Sequence, residues 1–142
     1  MSTVFDLVAL VERVIAELSP GQFLTLDYSD GPPGLEPYAQ LAVDGDSYYL
    51  EVVSELHLPP TQWPLYSSIL RAAGWSAPDD DTANWWQTAT DPHLAARALV
   101  DALMTGRGCT APDRFSVSIG TFPAPPDGGE PLPGTRGSGL AA

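Results

Sequence analysis

Apolar residues recur at helical spacing in three stretches of the chain. Each stretch carries the signals that begin and end a helix, because Thr and Asp side chains satisfy the first backbone N–H groups and Gly or Pro ends the helical pattern. Their amphipathic pattern predicts helices that pack one apolar face on a sheet. The predicted helices run from Val4 to Leu18, from a cap at Thr61 to about Ala73, and from a cap at Asp91 to a stop at Gly106.

Shorter stretches with alternating apolar and polar residues predict strands. Extended chain at Trp75 and Pro78 supplies a further strand before the one that contains the two adjacent tryptophans. The expected fold is therefore α+β in the order α-β-β-β-α-β-β-α, an antiparallel sheet packed with helices. The remaining strands are predicted at Phe23–Tyr28, Tyr38–Val43, Asp46–Ser54 and Asn84–Thr88, with a last short one at Phe115–Ile119.

The pair Asp44-Gly45 between two alternating runs is the strongest local signal in the chain. An Asp-Gly pair is typical of a two-residue hairpin turn, since both central residues take positive φ. Such a turn would place Leu41 opposite Tyr48 and Ala39 opposite Leu50. The hairpin would then have two faces, a core face with Val43, Leu41, Ala39, Tyr48, Leu50 and Val52, and a mixed face with Tyr38, Gln40, Tyr49, Glu51 and Val53.

The length and composition predict one domain followed by a tail. The chain has 142 residues, of which 44% are hydrophobic, and this is enough for a single core. Half of the residues from Pro123 to Ala142 are Pro or Gly, a composition that cannot bury a core. We expect a single domain over residues 1–121 and a disordered tail over residues 122–142.

The charge excludes several classes of partner. Eighteen acidic residues stand against six Arg and no Lys, which gives a net charge of −12. Ordinary binding to a nucleic-acid backbone needs clustered positive charge, and the acidic chain is repelled by anionic membranes. No stretch approaches the ~20 apolar residues of a membrane span, and no signal peptide is visible. We expect a cytoplasmic protein whose acidic surface is either a solvated face or the complement of a basic partner.

The residues with reactive side chains form no recognisable catalytic or metal-binding motif. The run Asp79–Asp81 lacks the Gly and Glu that a calcium loop needs downstream. His57 and His93 have no second ligand at metal-binding spacing, and Cys109 has no basic cluster to activate it. The chain has no G-x-S-x-G nucleophile pattern and no phosphate-binding glycine loop. We therefore expect no enzyme activity, no metal and no cofactor.

The four tryptophans are many for a chain of this length. Trp85 and Trp86 are adjacent on a predicted strand, so their side chains must point to opposite faces of the sheet. One of them should lie on a second covered surface, which could be a helix layer, a dimer interface or a ligand groove. Two interpretations stay open, a core with intramolecular cover and a partner-binding surface, for which Trp and Tyr are the preferred anchors.

The segment Leu70-Arg71-Ala72-Ala73-Gly74-Trp75, followed by Pro78 and by Asn84-Trp85-Trp86, resembles the type III secretion chaperone-like superfamily. The resemblance is to the branch shared with YbjN-like proteins and called TY-Chap peptide-binding chaperones. Residues 37–43 and 50–54 resemble the central hairpin of that branch, and the resemblance covers about residues 3–105. It implies a small cytoplasmic chaperone or adaptor without catalysis, a homodimer that holds a protein or peptide client and has a link to protein secretion.

This resemblance and the surplus aromatic residues lead to a predicted contact surface. We place it on the mixed face of the hairpin together with Trp63 and one of the adjacent tryptophans, and we assign four other residues to building the turn. An alternative is an acidic immunity-type or antitoxin-type inhibitor, because electrostatic steering would speed its capture of a basic toxin. A second is an enzyme with a pocket around Glu51 or Asp27. The predicted contact residues are Tyr38, Tyr49, Val53, Trp63, Trp85 and Trp86, and the turn residues are Gly74, Trp75, Pro78 and Asn84.

Overall fold

The structure, a computed structural model, describes residues 3–29 and 36–123. In these residues three helices pack against one face of a five-stranded sheet. The tail predicted at 122–142 lies outside the described residues from position 124 onward. The helices are α1 (Val4–Glu17), α2 (Ser67–Ala72) and α3 (Pro92–Asp101), and the strands are β1 (Gln22–Tyr28), β2 (Tyr38–Asp44), β3 (Ser47–Val52), β4 (Trp85–Ala89) and β5 (Phe115–Thr121).

The sheet has the strand order β4-β3-β2-β1-β5, and every neighbouring pair is antiparallel. Strand β1 lies between β2 and β5, so the segment after α3 returns to pair with the first strand. The predicted α+β class with an antiparallel sheet is confirmed. The closing strand β5 forms one edge of this sheet.

Helices α1 and α3 pack against each other and cover the same face of the sheet, which we call the inner face. Alternation along the strands sends every second side chain into this layer. We call the opposite side the outer face. The main core joins the helices to the inner face through buried residues that include Leu7, Val11, Ile15, Leu24, Leu26, Leu41, Leu50, Val52, Trp85 and Leu99.

The ends of α1 and α3 follow their sequence signals. Thr3 and Asp6 form a capping box in which each side chain accepts a hydrogen bond from the backbone N–H of the other at 3.1 Å. Asp91 caps α3 by accepting from the N–H of Leu94 at 2.9 Å, with Pro92 at the first helical position. Both predicted starts are confirmed, because these signals act within a few residues.

The register of the central hairpin differs from the predicted register by two residues. Leu41 lies opposite Leu50 rather than Tyr48, and Ala39 lies opposite Val52 rather than Leu50. A shift of two residues leaves each side chain on its original face, whereas a shift of one would invert them all. The predicted pairs are therefore wrong, and the predicted faces are confirmed.

Gly45 accounts for this shift. Gly45 and Asp46 form the two-residue loop, and Asp44 pairs with Ser47 as the last pair of the ladder. The first loop position has a φ of 63° and is occupied by the glycine, which adopts positive φ without steric strain. The prediction gave that position to Asp44, whose Cβ would make the same conformation less favourable.

Helix α2 is shorter than predicted and begins at Ser67 instead of just after Thr61. Pro64 is the physical reason, because a proline disfavours the helical conformation of the residue before it and has no N–H to donate. The chain instead makes a turn in which the N–H of Trp63 donates to the carbonyl of Pro59 at 3.1 Å.

The order of elements after α2 also differs from the predicted order. Only one strand, β4, lies between α2 and α3, and the extended chain before it makes a single antiparallel bridge between Ser76 and Trp86. The short strand predicted near Phe115–Ile119 is confirmed as β5. The order observed in the described residues is therefore α-β-β-β-α-β-α-β.

Helix α3 continues as a π-helical turn over Ala102–Gly106, so the predicted stop at Gly106 is confirmed. The glycine is needed there for close packing, since a Cβ at this position would lie 2.5 Å from Cδ2 of Leu70. This close approach joins the end of α3 to α2.

Candidate functional site

A small group of apolar side chains lies on the outer face, separate from the main core. Tyr49 and Trp86, from neighbouring strands, stack with ring centroids 6.2 Å apart and an interplanar angle of 28°. Phe23 and Phe122 make a second ring pair at 4.8 Å. Tyr49 is buried, whereas Trp86, Phe23 and Phe122 are half-buried. We call Phe23, Ala42, Tyr49, Trp86 and Phe122 the outer-face cluster.

Small residues on both sides of Phe23 make room for its ring. Phe23 lies opposite Ala42 on β2 and opposite Gly120 on β5. A Cβ at Gly120 would overlap the phenyl ring, so the ring lies directly over the backbone of the edge strand. The outer-face cluster therefore extends from β4 across the sheet to β5.

A row of polar side chains runs across the outer face beside this cluster. Gln40 donates to Oγ1 of Thr25 at 3.0 Å, and it lies directly opposite Glu51 in the β2–β3 register. Glu51 is only 2% exposed and accepts a hydrogen bond from Nδ2 of Asn84 at 3.1 Å. Asn84 in turn accepts from the N–H of Ser54 at 3.0 Å. This network holds the start of β4 against the end of β3.

Negative charge gathers around Tyr38 at the end of this row. Burial raises the pKa of the Tyr38 hydroxyl, the hydrogen bond with Asn84 lowers it, and the carboxylates of Glu51 and Asp27 raise it further. Burial raises the pKa of the Asp27 carboxyl as well, with a second contribution from Glu36. Both groups therefore experience an environment that disfavours additional negative charge.

The structure brings four of the six predicted contact residues to the outer side of the hairpin and its neighbour β4. Tyr49 and Trp86 are in direct contact, whereas Tyr38 lies with Asn84 in the polar row. Val53 follows β3, donates its N–H to the carbonyl of Tyr38 at 3.0 Å and is fully buried.

The other two predicted contact residues belong to the main core. Trp85 is 1% exposed, and its Nε1 donates to Oε1 of Glu55 at 3.0 Å. The guanidinium of Arg71 lies over its ring, 5.2 Å from the centroid. Trp63 is half-buried and makes an edge contact with Tyr28 at 5.9 Å. The prediction that Trp85 and Trp86 point to opposite faces is confirmed.

Gly74 and Trp75 form the C-terminal cap of α2. Gly74 has a φ of 96° and donates to the carbonyl of Arg71, while the N–H of Trp75 donates to the carbonyl of Leu70. These two bonds are the Schellman arrangement. Trp75 is buried in the main core, and Pro78 is half-buried in the segment that leads to β4.

Phe23 and Phe122 are members of the outer-face cluster that the sequence-based prediction missed. Alternation along β1 places Phe23 on the face opposite Leu24, and the same alternation continued from Ser118 through Gly120 reaches Phe122. The alternation in the sequence therefore already indicated that both rings lie on the outer face.

A second apolar surface lies on the helices, far from the outer face. Phe5 on α1 is 83% exposed and borders a groove of about 490 Å³ between α1 and α3. At the polar end of this groove His93 lies 2.7 Å from Glu12. The exposed ring of Phe5 and the groove beside it form a second candidate contact surface.

The acidic run at Asp79–Asp81 forms the predicted turn. The carboxylate of Asp79 accepts hydrogen bonds from the N–H groups of Asp81 and Thr82, and these bonds lower its pKa. Within residues 3–29 and 36–123, no three His, Cys, Asp or Glu side chains are grouped as a metal site would require. Nor does any helix of this part have the length and apolarity to cross a bilayer.

The fold and the outer face thus define a small α+β protein with helices on one side of an antiparallel sheet and an aromatic surface on the other. Comparison with known families gives the same class, since the family described as T3SS (YopN, CesT) and YbjN peptide-binding chaperone 3, TY-Chap3, matches residues 7–120. The chain belongs to this family. No curated protein and no solved structure gives a significant match.

Proposed function

We propose that this protein is a non-catalytic peptide-binding chaperone or adaptor that holds a segment of a client protein against the outer face of its sheet. The observation that carries the proposal is the outer-face cluster, in which Tyr49 forms a buried floor and Trp86, Phe23 and Phe122 keep part of their rings exposed. Half-buried aromatic side chains are the preferred anchors of protein interfaces. The family match favours this role over an acidic inhibitor of a basic toxin.

The edge of the sheet supports the same role. In the described part of the chain β5 is paired on one side only, with β1. Its sequence Phe115–Thr121 contains no charged residue and no proline, the features that usually protect an edge strand. An extended client segment could add to this edge through backbone hydrogen bonds and place its side chains near Phe23 and Phe122.

The proposal is tested by selecting random dodecapeptides displayed on phage with the full chain and measuring the selected peptides by fluorescence anisotropy. We expect Trp86→Ala to weaken their binding by about tenfold or more, since anchor residues commonly contribute over 1 kcal/mol. Phe122→Ala serves as a second variant at the other end of the cluster, in case Trp86→Ala perturbs folding. Circular dichroism and urea unfolding verify the fold of both.

Phe5→Ala is the matched control, because it removes an exposed aromatic ring from the helix side of the molecule. Peptide binding should be unchanged in this variant. The proposal fails if no peptides are selected, or if Phe5→Ala weakens binding while both outer-face variants bind normally.

The wider setting is also part of the proposal. We place the protein in the cytoplasm as a homodimer and connect it with protein secretion, following the family description, which includes chaperones of the T3SS. The exposed apolar groove beside Phe5 supports pairing of two copies through α1 and α3. This arrangement would leave the outer face of each copy available to a client.

A further inference from the structure

Glu51 is a buried carboxylate without a cationic partner among the described residues. It is 2% exposed, and the hydrogen bond that the structure gives it comes from the neutral amide of Asn84. The ion pairs His93–Glu12 and Arg97–Asp101 lie on the helices and do not involve Glu51. Burying a carboxylate without an opposite charge is costly, so this position favours the arrival of a cation.

A second, independent feature lies beside it. Gln40 is 91% buried, as its exposed fraction is 9%, and its Oε1 has no hydrogen-bond partner although Nε2 donates to Thr25. Gln40 and Glu51 are directly opposite each other on neighbouring strands, so their side chains share one patch of the outer face. This oxygen can therefore accept a hydrogen bond from a donor that approaches the outer face.

Further acidic groups lie along the approach to this patch. Asp27 lies opposite Tyr38 on the outer face, and both are half-buried and so partly accessible. Burial raises the pKa of the Asp27 carboxyl and repulsion from Glu36 raises it further, and a cation beside the two groups would offset that repulsion. The stacked rings of Tyr49 and Trp86 lie on the next positions of the sheet and can receive the apolar stem of a long side chain.

We propose that the outer face recognises a basic side chain, Arg or Lys, of the client segment, with Glu51, Asp27 and Gln40 as its acceptors and the outer-face cluster as the site of the neighbouring apolar residues. The proposal rests on the proposed function and names the chemistry of its client. Arg fits best, because its planar guanidinium offers several donors to carboxylate and amide oxygens at once. The net charge of −12 favours the same kind of client.

The test uses the selected dodecapeptides and, for each, a copy in which the basic residue is replaced by citrulline, a neutral group of the same shape as Arg. We expect the selected peptides to share a basic residue, and the citrulline copy to bind about tenfold or more weakly, as for the loss of a charge-assisted hydrogen bond. In the variants Asp27→Asn and Glu51→Gln, the affinities for the original peptide and for its citrulline version should differ by less than about threefold. Glu51→Gln keeps an oxygen that can accept from Asn84, so the fold should be preserved.

Asp46→Asn is the matched control, because it removes one negative charge from the exposed hairpin loop. This variant should prefer the original peptide over its citrulline version as strongly as the unchanged protein does. The inference is overturned, and the proposed function stands, if the selected peptides lack a basic residue or bind equally well with citrulline. It is also overturned if Asp46→Asn reduces the difference as much as Asp27→Asn does, since the effect would then come from total charge.

Discussion

At the scale of single residues, Arg107 shows how a buried charge can organise a loop. Its guanidinium is fully buried and donates to the carbonyls of Val53, Leu58 and Trp63, at 3.4, 2.6 and 3.5 Å. Burial lowers the pKa of Arg107, and the nearby thiol of Cys109 and the carboxylate of a neighbouring glutamate partly offset this effect. One side chain thus joins the end of β3 to the irregular segment before α2.

We predict that Arg107→Met lowers the free energy of unfolding by about 2–4 kcal/mol, because it leaves the buried carbonyls of Val53 and Leu58 and the partly buried carbonyl of Trp63 without this donor. Urea unfolding followed by tryptophan fluorescence measures the loss. Arg97→Met is the control, since Arg97 is half-exposed and lies 3.6 Å from Asp101 on the same helix, where such pairs contribute little. Equal unfolding midpoints for the two variants would contradict the assigned role of Arg107.

At the scale of elements, the sequence predicted what local signals determine. The capping residues Thr3 and Asp91 placed the starts of two helices correctly, because each acts on backbone groups within one turn. The start of α2 depends on a distant contact as well as on its proline, since the N–H of Tyr66 donates to the carbonyl of Gly106 at 2.8 Å. A contact across forty positions leaves no periodic signal in the sequence.

The sequence likewise predicts some features of the candidate site and not others. Alternation predicted that Tyr49 and Glu51 share a face and that the two adjacent tryptophans separate, and this held even though the hairpin register was wrong. The stack of Tyr49 on Trp86 depends on how β4 pairs with β3, which the sequence of neither strand determines. The burial of Val53 likewise comes from tertiary packing that its strand pattern does not encode.

The end of α2 gives a prediction at this scale. Gly74 has a φ of 96° as the cap of the helix, and a Cβ there would lie 3.3 Å from Oε1 of Gln87. We expect Gly74→Ala to cost about 1–2 kcal/mol in the free energy of unfolding, measured by urea titration, because Ala is strained in the left-handed region. Gly74→Asn should cost less, since Asn tolerates that region. If both variants were as stable as the original chain, the cap would not contribute to stability.

At the scale of the whole molecule, the two apolar surfaces lie on opposite sides of the sheet and serve different partners in our proposals. The outer-face cluster lies beside Glu51 and the unpaired Oε1 of Gln40, which suits a basic client. In the groove between α1 and α3, the ring of His93 lies against Glu12 and the guanidinium of Arg97 lies 3.6 Å from Asp101. Salt should therefore affect the two associations in opposite directions, because it screens attraction to a basic client and repulsion between two acidic copies.

We predict a dimer that becomes tighter as NaCl rises from about 50 mM to about 500 mM, since each copy carries a net charge of −12 and screening over a few ångströms removes most of their repulsion. Sedimentation velocity measures the dissociation constant. Phe5→Glu places a charge in the groove and should leave only monomer, whereas Leu56→Glu, at a residue that is 67% exposed and does not line the groove, should not. If the protein is monomeric at every salt concentration, or if both substitutions have the same effect, then Phe5 does not mediate the pairing of two copies.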